Sequence, residues 1–384
     1  MSACDDETAC EFVSSRGLLK SCQVRSMNPK SSCPRDLQYI SEFIAAQNDY
    51  KNDRAPSPPS PPSPPSPPVS IYVCCDAFQS FIQEYAPQIR VPYIVVCGDG
   101  DLTMFREAVP THPNQFVMFI LNPNMRGLFS QNMDIEDCRG FLKEKITKLW
   151  NAGAAVFKAG NNAHTTLEAA IQTAQHKLTQ IPIGMDYHTI RANPNHPWVA
   201  RSCSSSSSSS SSSSFEAAMT TPVEQERILV EYIRDADMKP FYQRKLRIYS
   251  NVMLCPDRFN DRISAVGTIP ADLISQQNGF IPRTQTWRNM SEYAFVLSPF
   301  GNGMDCHRTW EALLCGCIPI VRSSVFNDLF DGLPVLIVDK WEDVSLRLLV
   351  HTIAQFKEKL DKNEFNYDKL RLSYYTKMMM IVSI

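Results

Sequence analysis

Residues 293–338 constrain the fold more than any other stretch of this chain. Residues 293–298 are a short apolar run, which Pro299, Gly301 and Gly303 then break. From Asp305 onward Trp310, Leu313 and Leu314 recur at helical spacing, and Gly316 supplies a stop. Residues 318–321 and 334–338 are two further short apolar runs. Short, fully apolar strands alternating with an amphipathic helix are what a parallel sheet requires, because its strands are covered on both faces. The pattern predicts a strand, a glycine-rich turn, a helix and a strand. Gly301 and Gly303 open the backbone to close approach by a ligand, and a helix N-terminus behind such a turn suits a phosphate.

The same alternation extends through most of the chain. Buried strands are expected at residues 71–75, 93–97, 116–121, 154–158 and 179–183, with helices at 135–150 and 165–178. A second set opens with a helix at 222–234, where Pro222 is a start signal, followed by a strand at 246–254. Residues 256–267, 271–277 and 345–360 read as helices, and residues 366–380 as a closing helix. Residues 1–54 are polar with little periodicity apart from a short helix at 36–48, and are expected to be a partly disordered N-terminal segment. The Ser-Pro-Pro repeats of residues 55–69 predict a stiff, extended linker. The serine tract within residues 200–216 predicts a disordered insert. The domains are therefore expected at 70–190 and 220–384, each α/β.

Composition narrows the function classes. With 38 basic and 40 acidic residues the net charge is −2, which leaves no electrostatic footprint for nucleic acid or an anionic membrane. No run of about 18 apolar residues is present, so no transmembrane helix is expected. The opening MSACDDETACEF is acidic and polar, unlike a signal peptide. The 13 cysteines lack CxxC spacing and several sit in apolar patterns, so buried free thiols are expected rather than a zinc site. These features together predict a cytoplasmic location.

The ordered run Ser298-Pro299, Gly301-Asn302-Gly303, Asp305-Cys306-His307-Arg308, Trp310-Glu311-Ala312-Leu313 and Gly316-Cys317-Ile318-Pro319 resembles the nucleotide-sugar half of exostosin-like glycosyltransferases, in particular those of algae and their large DNA viruses. Residues 181–189 and 221–225 extend the resemblance, which covers most of residues 70–375. It implies two Rossmann-like domains facing a cleft (the GT-B architecture), a UDP-sugar donor, a glycan or glycoprotein acceptor, and inversion at the anomeric carbon without metal or other cofactor. It assigns the leaving diphosphate to Arg308 and the ribose hydroxyls to Glu311. Ser298, Gly301, Asn302, Gly303, Asp305 and His307 complete the expected donor site. Arg308 and Glu311 are also spaced for an ordinary helix-face ion pair. Asp186 and His188 follow an apolar strand and are the candidates for the general base, although the same residue types cap turns and helices.

Two other readings are open. Asp99-Gly100-Asp101 follows an expected strand and has the chemistry to hold a divalent cation carrying a diphosphate, as in metal-dependent GT-A enzymes. A nucleotide-binding partner protein without catalysis would need the same fold. A dinucleotide-dependent dehydrogenase does not fit, because the glycine turn lacks G-x-G-x-x-G spacing. Trp287, Trp310 and Trp341 are candidates for stacking on a base or sugar, with Trp310 better placed for the core. Exostosin-like enzymes of the Golgi carry a membrane anchor, so Golgi association is the alternative location.

Overall fold

Strand-forming runs in this chain are short and mostly apolar, and they assemble into two separate parallel sheets. The computed structural model describes residues 7–26, 37–52, 67–100, 113–157, 166–193, 196, 198, 221–234 and 239–381. Residues 55–66 of the proline-rich segment, the serine tract and Asp101 lie outside the described residues. The chain divides into two units, Leu18–Ile181 with Tyr375–Ile384, and Met1–Gly17 with Pro182–Tyr374. Both are α/β. Among the described residues no helix is long and apolar enough to cross a membrane.

In the first unit β1 (Val69–Cys74), β2 (Tyr93–Gly98), β3 (Met125–Ser130) and β4 (Leu178–Gln180) pair in parallel in the order β1-β2-β3-β4. Helices Ile135–Asn151 and Leu167–His176 form where the periodicity predicts them. Asp134 and Thr166 cap them by accepting the N–H of Asp137 at 3.0 Å and of Ala169 at 3.1 Å. The expected strand at 116–121 is instead the end of the helix Pro113–Leu121. A run that is apolar on every side reads alike as a buried strand or a buried helix. Here Phe116 and Phe119 pack against Phe78, with ring centroids 6.3 and 5.7 Å away. Lys177 settles that helix's end by donating to the carbonyls of Ile120 at 2.6 Å and Asn122 at 3.0 Å. The true strand, β3, escapes sequence reading because exposed Arg126 and Gly127 interrupt it. Of the expected strand at 154–158, Ala155–Phe157 is a single helical turn.

The N-terminal segment departs from expectation. Leu18, Leu19 and Cys22 are fully buried, and Val24 bridges β1 in parallel, exchanging hydrogen bonds with Ser70 at 2.9 Å and Tyr72 at 2.8 Å. A few apolar residues suffice to fix this piece of chain because they cover an open sheet edge. Helix Gln38–Asn52 follows, its Tyr39 hydroxyl donating to the Tyr72 carbonyl at 2.7 Å.

In the second unit β5 (Lys245–Ser250), β6 (Ile274–Gln276), β7 (Tyr293–Leu297), β8 (Ile318–Arg322) and β9 (Leu336–Val338) pair in parallel in the order β6-β5-β7-β8-β9. Ile248, Phe295, Leu297, Ile318 and Ile320 form its core with Leu349 of the helix Leu346–Asp361. Residues 274–276 were expected to be helical. They form β6 because Ile274 and Ser275 complete β5's open edge, opposite Ile248 and Tyr249. The helix expected at 256–267 is shorter, Asp261–Thr268. Residues 182–190 belong here rather than with the preceding domain. Gly184 is the reason in part: its φ is +62°, and a Cβ there would lie 2.3 Å from the Val13 carbonyl oxygen.

Residues 11–13 are also bound into this unit. The Glu226 carboxylate, on the helix Pro222–Ile233, accepts the N–H of Glu11 at 2.5 Å, the N–H of Phe12 at 3.0 Å and the Tyr187 hydroxyl at 2.7 Å. Burial raises its pKa, against the pull of those donors. Replacing Glu226 with Ala strands buried donors from separate segments, so Glu226→Ala should destabilise the unit by about 3 kcal/mol. Chemical denaturation measures this, and a loss below about 1 kcal/mol would show that the clamp holds nothing.

Candidate functional site

The second sheet has one topological feature that places a ligand. Chain order runs outward from β5 to β6 on one side, then from β7 through β8 to β9 on the other. Strand order therefore reverses between β5 and β7. In open parallel sheets a crevice forms outside the carboxyl ends of the strands at such a switch point. In the first sheet the described strands follow in simple sequence, without a reversal. The glycine turn leaves the carboxyl end of β7, so the sequence-predicted donor residues fall at this point.

Ser298, just past β7, is buried and its Oγ lies 2.8 Å from Oγ1 of Thr309, which fastens the turn to the helix His307–Leu314. Within the turn the Gly301 N–H donates to the Gly303 carbonyl at 2.9 Å, and Asn302 is exposed. Asp261 accepts the N–H of Phe300 at 2.9 Å and the indole N–H of Trp341 at 2.9 Å, with Arg322 at 3.2 Å. A fully buried carboxylate thus fixes the turn from below. Arg308, the second residue of the helix His307–Leu314, donates from Nε to Oδ1 of Asn251, the residue after β5, at 3.0 Å. The contact brings the ends of β5 and β7 together. Burial depresses the Arg308 pKa, and the Arg262 cation adds to this.

Glu311 does not pair with Arg308 as helix spacing allowed. Its Oε1 accepts from Nη2 of Arg283, a fully buried guanidinium that also donates to the Asp186 carbonyl and to Oε1 of Gln225. Burial alone would lower the Arg283 pKa, but Glu311 and Asp186 hold it above its ordinary value.

Asp305, His307, Asp186 and His188 form a connected group. Oδ2 of Asp305 accepts the Ile183 N–H at 2.7 Å, and Oδ1 accepts the Trp310 indole N–H at 2.8 Å. Nδ1 of His307 lies 2.6 Å from the Gly184 carbonyl, which can only accept, so that nitrogen carries the proton. Asp186 accepts the N–H of Thr189 at 2.9 Å and its hydroxyl at 2.7 Å, so it secures the start of the short helix His188–Ala192. Its Oδ1 also lies 3.1 Å from Nδ1 of His188, and the rings of His188 and His307 are 5.9 Å apart. Asp186 is thus a capping group, and His188 Nδ1 lies beside it, buried and without a hydrogen bond among the described residues.

Electrostatics sort this group. Burial pushes the His188 pKa down to about 4, Asp186 opposing, so the imidazole is neutral near pH 7. Burial would raise the Asp186 pKa, but His188, His307, Arg283 and the Thr189 hydroxyl hold its carboxyl well below the usual range. Asp305 is pushed up to about 6 by burial, only partly offset by its donors.

Three further features bear on the sequence reading. Trp287, Trp310 and Trp341 are all buried, so none presents a free face for stacking. Asp99 lies in the first unit just beyond β2, buried and left-handed at φ 60°, with its N–H donating to Oε1 of Gln131 at 3.1 Å. Arg262 was missed. Its Nη2 lies only 2.8 Å from where a Cβ would stand on Gly301, yet nothing in the local sequence sets it apart from a surface arginine. No protein-family model matches this chain, and no curated protein matches it significantly.

The two raised and lowered groups predict opposite pH dependences. The depressed His188 contributes stability present above about 6.5 and lost as pH falls toward about 4. The raised Asp305 does the reverse: native protein binds the extra proton between about 6 and 3.8, so its contribution grows on acidification. Between pH 6.5 and 4, His188→Asn should flatten the loss of stability and Asp305→Asn should steepen it, each by up to about 1.4 kcal/mol per pH unit. Denaturant titrations at four pH values would test both signs.

Proposed function

We propose that the chain is a glycosyltransferase that moves a sugar from a UDP-sugar to a glycan or glycoprotein hydroxyl. The observation that carries this reading is Arg308 at the switch point between β5 and β7, behind a glycine turn. Loss of a nucleoside diphosphate from a sugar develops negative charge on the leaving oxygens. A guanidinium held in place before the reaction stabilises that charge without reorganisation. The run of residues that resembles exostosin-like enzymes is the same run that leaves β7, and it supports the donor assignment.

In this reading the diphosphate lies along Gly301, Asn302 and Gly303 and is met by Arg308. Glu311 keeps Oε2 for a ribose hydroxyl while Arg283 holds its Oε1. Asp305 and His307 hold the segment 183–184 by its backbone. His188, neutral at pH 7 and 3.1 Å from Asp186, takes the proton of the acceptor hydroxyl as it attacks the anomeric carbon. Attack from the face opposite the diphosphate inverts the configuration. The architecture is of GT-B type and needs no metal, because Arg308 already supplies the positive charge.

Two outcomes follow. Arg308→Ala should keep the fold and lower transfer by about a hundredfold, equivalent to about 3 kcal/mol of barrier. Near-normal turnover in a folded variant would remove its role. Hydrolysis or transfer of a panel of UDP-sugars should persist in excess EDTA. Complete loss, rescue by manganese and an inactive Asp99→Asn variant would instead favour a metal-dependent enzyme. Binding of UDP without turnover of any donor would favour a nucleotide-binding partner protein.

A further inference from the structure

Arg262 reaches the glycine turn with its side chain, and Arg308 stands at the start of the helix that follows the turn. Arg262 opens the helix Asp261–Thr268, whose start is fixed by Asp257: its Oδ1 accepts the N–H of Phe259 at 2.9 Å and of Asp261 at 3.2 Å, and its Oδ2 accepts that of Arg262 at 3.2 Å. These bonds occupy the one carboxylate near Arg262, which stands 4.0 Å from its Nε. The Arg262 side chain otherwise meets the Cys255 sulfur at 3.8 Å, and its Nη2 fills the space a Gly301 side chain would take. Among the described residues Arg308 has no carboxylate within ion-pair distance, only Asn251. The Cys306 thiol senses both cations: burial pushes it up to about 11, while Arg308 and Arg262 pull the other way.

Two neighbouring guanidiniums repel, and the single carboxylate shown against Arg262, Asp257, stands at the 4.0 Å limit of an ion pair while accepting three backbone N–H bonds. A multiply charged anion relieves that repulsion, and the planar fork of each arginine matches phosphoryl oxygens. We infer that Arg262 and Arg308 form one anion site that takes the two phosphoryl groups of a diphosphate, and that Gly301 lacks a side chain so that Arg262 can reach it. This inference rests on the donor reading above and adds a second cation to it. Asp257 acts as a positioning residue, setting where Arg262 begins its helix.

Calorimetry on the full chain with UDP, and with inorganic pyrophosphate as a competitor without a base, tests the pair. Arg262→Gln is expected to weaken UDP and pyrophosphate at least tenfold, with unliganded melting within a few degrees of the parent. Arg262→Lys keeps the charge but not the fork and should fall between. If Arg262→Gln fails to fold, Gly301→Ala carries the test, since its Cβ displaces Nη2 and should weaken both ligands. Parent-like binding of UDP and pyrophosphate by folded Arg262→Gln, or by folded Gly301→Ala where that variant carries the test, would overturn the inference and leave the donor reading standing. Failure of the parent chain to bind UDP at all would overturn the donor reading and this inference with it.

Discussion

The second unit depends on a single buried cation. Arg283 reaches the Asp186 carbonyl, Gln225 and Glu311, and so joins the segment after Ile181, the helix Pro222–Ile233 and the helix His307–Leu314. The rings of Trp287 and Trp198 lie 5.3 and 5.6 Å from its guanidinium. A charge taken out of water is costly unless its partners are complete, and removing one partner leaves the rest stranded. Such an arrangement fixes the register of its segments. The same cation that orders the backbone at Asp186 orders the carboxylate at Glu311, so the two ends of the candidate site share one support.

Around the switch point the same logic recurs with the opposite sign. Asp261 gathers the Phe300 amide, the Trp341 indole and Arg322, and Asp257 gathers a row of amides at a helix start. Each buried carboxylate is consumed by structural donors. Arg308, by contrast, has no carboxylate within ion-pair distance among the described residues, only Asn251.

Much of this was legible in the sequence. The strand, turn, helix and strand of residues 293–322 are marked by Pro299, the glycines, Trp310 and Gly316, and all form close to where those residues put them. Local signals failed where burial is complete or edge pairing decides. Residues 116–121 are apolar on all sides and carry no period. Residues 274–276 become a strand only because β5 has a free edge to fill. Ser298, Asp305, His307, Arg308 and Glu311 could be named from the family resemblance of their run, but their partners could not. Arg283 and Arg262 look like ordinary helix arginines, and only the fold brings one to Glu311 and the other to Gly301. The burial of residues 18–22 was hidden by a polar average over a long segment.

Each unit is built from two segments that are far apart in the sequence. Glu11 and Phe12 precede their acceptor, Glu226, by more than two hundred residues. At ordinary rates of translation this is a wait of roughly 10–40 s. The first unit is interrupted likewise, since Tyr375–Ile384 is made only after residues 182–374. Neither unit can therefore finish folding in vectorial order. Any attempt to express the five-stranded unit alone as one uninterrupted piece of the natural sequence would omit its opening segment. A permuted chain that joins residues 7–17 to residue 182 would supply it.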